Sequence, residues 1–336
     1  MRLALFAYSR TGCRTAERVL AALPEAQTER YTMARFGEPG FLPLERHVYG
    51  RAFDRMDALI FIGACGIAVR EIAPYVRDKK TDPAVLCLDE RATFVIPLLS
   101  GHIGGANALA ARLAAALGAQ AVITTATDVN GKFAVDAWAA QHGCAICDMQ
   151  LAKAVAAEIL ERDVPLCSAF PVSGPLPGGI VEGQNGTLGI YIGADVRAPF
   201  TRTMRLVPRV LHVGIGCRRG IAAQAVLHAV DAVFRSHALD PRAILRVCSI
   251  DLKAQEAGLL EACLLRGWQT QFYSAQQLQQ VPGTFTTSEF VQTVTGVDNV
   301  CERAALLGAA RLLVKKTAMD GVTVAVAEEA WEVRFG

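Results

Sequence analysis

The 336-residue chain contains no uninterrupted apolar run of about 18 residues, so no membrane-spanning helix is expected. Its start, MRLALFAYSR, sets a short apolar run between Arg2 and Arg10. That run is shorter than a secretory core and has no small-residue cleavage site, so no export leader and a cytoplasmic location are expected. Charge is scarce, at 20% of residues against roughly 25% in an average globular chain. Lys plus Arg (34) nearly balances Asp plus Glu (32), so there is no broad basic field to recruit nucleic acid or an acidic membrane. An anionic ligand must therefore meet a local cluster of donors. Of ten cysteines only Cys144 and Cys147 form a CxxC, and no second pair stands at zinc spacing. The cysteines read as buried thiols, and no protein-held metal is expected. There is no tandem repeat and no low-complexity tract.

What is present is apolar material, 52% of residues, enough for about two domains at roughly 150 residues each. Strand and helix patterns alternate. Leu3–Tyr8, Ala58–Gly63, Ala84–Leu88, Thr93–Leu99 and Ala121–Thr125 read as strands, and Thr15–Leu23 and Ala106–Leu117 as helices. This order implies an α/β fold with mostly parallel sheets covered on both faces. The rhythm breaks between about Cys144 and Arg205, where Pro171, Pro175, Pro177 and several glycines crowd together. It resumes with strands at Leu211–Ile215, Ile244–Ile250, Gln269–Tyr273, Leu312–Lys315 and Val322–Ala327. Helices are expected at Ile221–Phe234, Gln255–Leu265 and Cys301–Ala310. The expected organisation is two α/β domains, 1–140 and 206–336, joined by a small middle module at 141–205.

Several turns at strand ends could carry chemistry. Ser100-Gly101-His102-Ile103-Gly104-Gly105-Ala106-Asn107 combines glycines, which permit positive φ and close backbone approach, with free N–H groups at a helix start. It is neither GxGxxG nor GxxxxGK[ST], so the nucleotide fingerprints do not apply. Its His102 is titratable and is presented at a strand end. The plain alternative is a tight turn capped by Ser100 or Asn107. Glu90, after another strand, and Thr124, Thr125 and Asp128, after a third, either converge on the same crevice or serve as ordinary turns and caps. Gly63 and Gly66 precede Arg70, Arg77, Lys79 and Lys80, which read as a solvated helix face or as a rim for an acidic ligand. Gly214, Gly216, Arg218 and Arg219 repeat the pattern, and Lys253 follows a further strand.

The run FIGACGIAVREIAPYVRDKKTDPAVLCLDE, continuing through FVIPLLSGHIGGANALAARLAAALGAQAVITTATDVNGKFAVD, resembles the N-terminal signature of the CbiG family, the cobalt-precorrin-5A hydrolases. VGIGCRRG, SIDLKAQEAGLLE, TGVDNVCERAALLGA and VTVAVAE resemble its C-terminal domain, which also exists alone as the CobE type. Together these cover most of Ala58–Asp136 and Val213–Ala327. Arg91 and Ala92 stand where the family often has a glycine.

The resemblance implies an enzyme of anaerobic cobalamin biosynthesis. It would open the δ-lactone of cobalt-precorrin-5A with water, releasing acetaldehyde and giving cobalt-precorrin-5B. The cobalt would arrive in the substrate, so no cofactor of the protein's own is implied. Lactone opening needs a base for water and a donor for the developing oxyanion. His102 is the expected base, the Gly104-Gly105 N–H groups the expected oxyanion donors, and Glu90 or Asp128 the partner. Gly63, Gly66, Arg70, Ser100, Gly101, Asn107, Thr124 and Thr125 are expected at the substrate in the first domain. Gly214, Gly216, Arg218, Arg219, Lys253 and Glu302 are expected there in the last. The implied partners are the corrinoid and, through it, neighbouring corrin-pathway enzymes; a homodimer is also admitted. Two other readings stay open, a non-catalytic corrinoid carrier and, last, a nucleotide- or sugar-phosphate-binding α/β enzyme.

Overall fold

The computed structural model describes residues 1–78 and 81–335. Lys79 and Lys80, read above as part of a cationic rim, lie outside the described residues. The chain divides into two compact units, Met1–Trp138 and Ala139–Gly336. The middle segment, expected as a separate module, thus packs as part of the second unit. No helix among the described residues is long and apolar enough to cross a membrane.

The first unit contains β1 (Arg2–Ala7), α1 (Arg10–Ala22), β2 (Gln27–Thr32), β3 (Leu42–Pro43), α2 (Val48–Arg55), β4 (Ala58–Ile62) and α3 (Cys65–Ile72). It continues with β5 (Ala84–Leu88), β6 (Phe94–Leu99), α4 (Ala106–Leu117), β7 (Gln120–Ala121), α5 (Ala126–Val129) and α6 (Val135–Gln141). Its seven-stranded sheet has the order β3-β2-β1-β4-β5-β6-β7. Leu3, Leu5, Ile60 and Leu86 face one core with Leu113 of α4, while Phe6, Phe61 and Val85 face the other with Tyr49 and Phe53 of α2. Burial of alternate residues on both faces explains why these strands are apolar throughout. The strand expected at Ala121–Thr125 is only the short β7.

One pairing matters for the site. β6 runs antiparallel to β5, with Leu88 opposite Val95 and Val85 opposite Leu99. The other neighbours in this sheet are parallel. The turn that follows β6 therefore emerges at the margin where β5 begins.

The second unit opens with β8 (Ala145–Ile146), α7 (Met149–Glu161), β9 (Val164–Ser168), β10 (Val172–Ser173), β11 (Ile180–Glu182), β12 (Leu188–Ile192) and β13 (Arg202–Val207). All of these strands but β10 build a five-stranded sheet ordered β11-β9-β12-β13-β8, so the Pro- and Gly-rich stretch holds a sheet of its own. Then follow β14 (Leu211–Cys217), α8 (Ala223–Ser236), β15 (Ile244–Ile250), α9 (Ala257–Arg266), β16 (Gln269–Tyr273) and α10 (Ala275–Gln279). The chain closes with α11 (Glu289–Thr295), α12 (Val300–Leu306), β17 (Arg311–Met319), β18 (Val322–Glu328) and β19 (Val333–Arg334). Their sheet is β16-β15-β14-β18-β17, parallel on the β15 side of β14 and antiparallel on the β18 side. β19 pairs with β10, tying the end of the chain to the middle segment.

Gly214 shows how closely α12 seats on this sheet. A Cβ there would lie 1.8 Å from the Cys301 carbonyl oxygen, so only glycine lets the helix backbone rest on β14.

Candidate functional site

The β6–α4 turn is held by backbone constraints. Ser100 adopts φ +57 and is buried, its hydroxyl donating to the Asp82 carbonyl at 3.0 Å. A Cβ on Gly104 would fall 2.3 Å from Ser100 Cβ, and Gly105 sits at φ +79, so both positions require glycine. The N–H of Gly105 donates to His102 O, that of Ala106 to Ser100 O and that of Asn107 to Gly101 O. Of the two N–H groups expected to form an oxyanion hole, Gly105's is therefore committed to the turn itself.

His102 lies between two carboxylates. Its Nε2 is 2.8 Å from Asp128 Oδ2, and its Nδ1 is 3.3 Å from Asp136 Oδ1. Asn107 Nδ2 donates to the same Asp128 oxygen at 3.1 Å and to Thr125 Oγ1 at 2.9 Å. The Asp136 hydrogen bond raises the imidazole pKa, burial opposes it, and Asp128 adds to the rise, giving about 9. Burial also opposes ionisation of Asp136, but its bond to His102 and the Ala137 N–H hold it below the usual carboxylate range. With Nε2 hydrogen-bonded to Asp128 and Nδ1 within ion-pair distance of Asp136, the charged form of the ring is favoured. The raised pKa favours the protonated ring and so weighs against the expected base role. The two carboxylates grip opposite edges of the ring, and among the described residues no three His, Cys, Asp or Glu side chains converge as metal ligands.

The cavity at this turn is about 190 Å³, lined by Ser100, Gly101, His102, Ile103, Thr125 and Asp136. Drug-sized ligands need roughly 300–1,000 Å³, so it admits a small group or one edge of a larger ligand.

Glu90 does not join His102. It hangs from the exit of β5, where it accepts from the Ser9 hydroxyl at 2.6 Å, while its carbonyl accepts from Thr15. Because β6 reverses direction, the His102 turn stands at the opposite margin of the sheet. Gly63 and Gly66 follow β4 on Glu90's side. Gly63 packs under the Tyr8 ring, and a Cβ on Gly66 would lie 3.8 Å from the Arg70 guanidinium. Arg70 and Thr124 are exposed, away from the residues lining the small cavity. Ala92 takes φ +56, a left-handed conformation that glycine would adopt without penalty.

A larger cavity, about 860 Å³, lies in the second unit at the ends of β14 and β15. Ile250, Leu252, Val291, Val294 and Val300 supply apolar walls, and Arg218, Arg219, Lys253 and Lys316 supply cations. Lys253 is paired with Glu256 at 3.0 Å, and Glu256 also receives the Gly220 N–H. Arg218 leans on the Asp320 carbonyl. Gly216 lines this cavity; Gly214 is buried beneath α12 and does not. Glu302 is also corrected. It is fully buried, and its oxygens accept from Thr286 N and Oγ1, each at 2.9 Å, and from Lys316 N at 2.6 Å. It ties a loop, α12 and β17 together and is not a cavity wall.

Sequence reasoning missed Asp136 and Lys316. Asp136 closes the quoted N-terminal run, a signal present but unused. Lys316 lies one residue past the strand expected at Leu312–Lys315, which in fact runs Arg311–Met319.

Residues 47–128 match the family described as Cobalamin synthesis G N-terminal, and residues 211–327 match Cobalamin synthesis G C-terminus. A cobalt-precorrin-5A hydrolase from Salmonella typhimurium is 34% identical over 342 residues, spanning 96% of this chain and 96% of its own. The chain belongs to the CbiG family. Another cobalt-precorrin-5A hydrolase, from Priestia megaterium, is 33% identical over 297 residues, spanning 82% of this CbiG-family chain and 79% of its own. Protein CobE from a Sinorhizobium species is 32% identical over 124 residues, 36% of this chain and 80% of its own. The His102 turn falls inside the N-terminal match, and Gly216, Arg218, Arg219, Lys253 and Lys316 inside the C-terminal one.

Proposed function

We infer that this protein is a cobalt-precorrin-5A hydrolase of cobalamin biosynthesis. The observation that carries the reading is the end-to-end match, 34% identity across 96% of both chains, to a hydrolase of that name. The substrate is a cobalt corrinoid, and the metal arrives with it; the protein is proposed to hold no cofactor of its own. A cytoplasmic location, work beside other corrin-pathway enzymes and a homodimer remain part of the same proposal.

The reaction as proposed is a balanced hydrolysis. Water gives its hydroxyl to the lactone acyl carbon and a proton to the ring oxygen as the acyl–oxygen bond breaks. The freed alcohol becomes acetaldehyde when its carbon–carbon bond breaks. That electron pair stays with the macrocycle, and the alcohol proton is released.

His102, as a cation, supports the oxyanion and delivers the proton to the leaving oxygen. Asp128 pairs with the Nε2 edge of His102 and helps to hold it charged; it does not line the small cavity and is given no base role. Thr125 and Ser100 shape the small cavity for the reacting edge. Taken by itself, the larger cavity of the second unit suits a corrinoid: Arg218, Arg219, Lys253 and Lys316 can meet its peripheral carboxylates and the apolar walls its flat faces. Glu90, Gly63, Gly66 and Arg70 stand at the other margin of the first sheet and take no part in the step at His102.

Anaerobic incubation with cobalt-precorrin-5A tests the reading. Acetaldehyde and the ring-opened product should form together. Tight corrinoid binding without acetaldehyde would favour the carrier reading, which the size of the second-unit cavity supports.

A further inference from the structure

We propose that Asp136 is a positioning residue of the hydrolysis, gripping the Nδ1 edge of His102 so that the ring stands charged and fixed against the small cavity. This rests on the hydrolase reading and deepens it. Three elements assemble the clamp. His102 comes from the β6–α4 turn, Asp128 from α5, and Asp136 from the first turn of α6. Asp136 is the more enclosed carboxylate, its side chain 17% exposed against 34% for Asp128. It lines the cavity together with His102, and Asp128 does not.

The protonation state follows from the geometry. A neutral imidazole has one N–H and one lone pair, so between two carboxylates it would aim that lone pair at an anion. Only the imidazolium donates in both directions. The other groups that meet the ring are uncharged, the Thr127 hydroxyl at 3.4 Å and, through Asp128, the Asn107 amide. No basic side chain bonds the ring among the described residues. Rotating the ring would sacrifice one carboxylate, so Asp136 sets orientation as well as charge. Of the two carboxylates, Asp136 is the larger cause of the raised His102 pKa.

The test compares wild type, Asp136→Asn and Asp136→Glu by two readouts. The first is the His102 titration, followed by NMR in protein labelled at histidine. The second is kcat/KM for acetaldehyde release across pH 6–10. In Asp136→Asn the His102 titration should fall by more than one unit from about 9, and the alkaline limb of kcat/KM should fall with it. Asp136→Glu should restore part of both. An active wild type with an unmoved limb in Asp136→Asn overturns the proposal alone, as does a rate lost equally at all pH with the His102 titration unchanged. A wild type that releases no acetaldehyde overturns the hydrolase reading, and the proposal with it.

Discussion

Glu302→Gln separates a structural carboxylate from a substrate-binding one. In the native protein Oε1 accepts from Thr286 Oγ1 and Lys316 N, and Oε2 accepts from Thr286 N. Glutamine can offer its carbonyl oxygen in place of Oε1, but its NH2 then faces the Thr286 N–H, donor against donor. One charge-assisted hydrogen bond is lost and a buried N–H is left unpaired, a cost of about 2–4 kcal/mol. For a unit of this size each kcal/mol is about 2–4 °C, so Tm should fall by roughly 4–16 °C. Thermal melts by circular dichroism read this directly. Well below the transition, KM for the corrinoid should change less than about threefold, because Glu302 does not line the cavity. An unchanged Tm with a KM raised tenfold or more would refute the structural reading and return Glu302 to the substrate.

Ala92→Gly should raise stability by about 1 kcal/mol, since a non-glycine residue at φ +56 carries a left-handed penalty that exceeds the added unfolded-state freedom; urea unfolding checks this, and a loss would contradict it. Arg219→Ala and Lys316→Ala should raise KM several-fold with kcat nearly kept, and the reverse split in steady-state assays would count against a binding role. His102 also links stability to pH. Its folded pKa, about 9, exceeds the unfolded value near 6.5, so its contribution is complete below pH 6.5 and lost as pH rises through 9. The Tm difference between wild type and His102→Gln should therefore shrink from pH 6 to pH 10, and a difference that grows would reverse the assigned sign.

Much of the fold was legible because apolar runs end in chemical punctuation. Ala106–Leu117 stops where Gly118 takes φ +67, and Ala84–Leu88, Ile244–Ile250 and Gln269–Tyr273 appear as read. The direction of β6 was not, because a strand buried on both faces has the same composition whichever way it runs. The available signal was the short link at 89–93, since a parallel crossover needs about a dozen residues or more. That single reversal removed Glu90, Gly63, Gly66 and Arg70 from His102's neighbourhood. His102, Asn107, Thr125 and Asp128 were brought together as their turns suggested. Asp136 escaped because a lone acid in a short helix says nothing of what it faces. Glu302 and Gly214 were assigned to substrate because motif membership does not distinguish a residue that touches ligand from one that shapes the wall behind it.

β5 carries Glu90 at its exit and Asp82, the acceptor of the Ser100 hydroxyl, just before its entrance. A slide of this strand by one residue would swap Leu86 and Cys87 between opposing cores, which the packing on both sides forbids. The strand is thus a fixed partition rather than a piston. Chemistry altered at the Ser9–Glu90 rim should leave the imidazole end undisturbed, and the two rims are free to diverge as independent workshops on one bench.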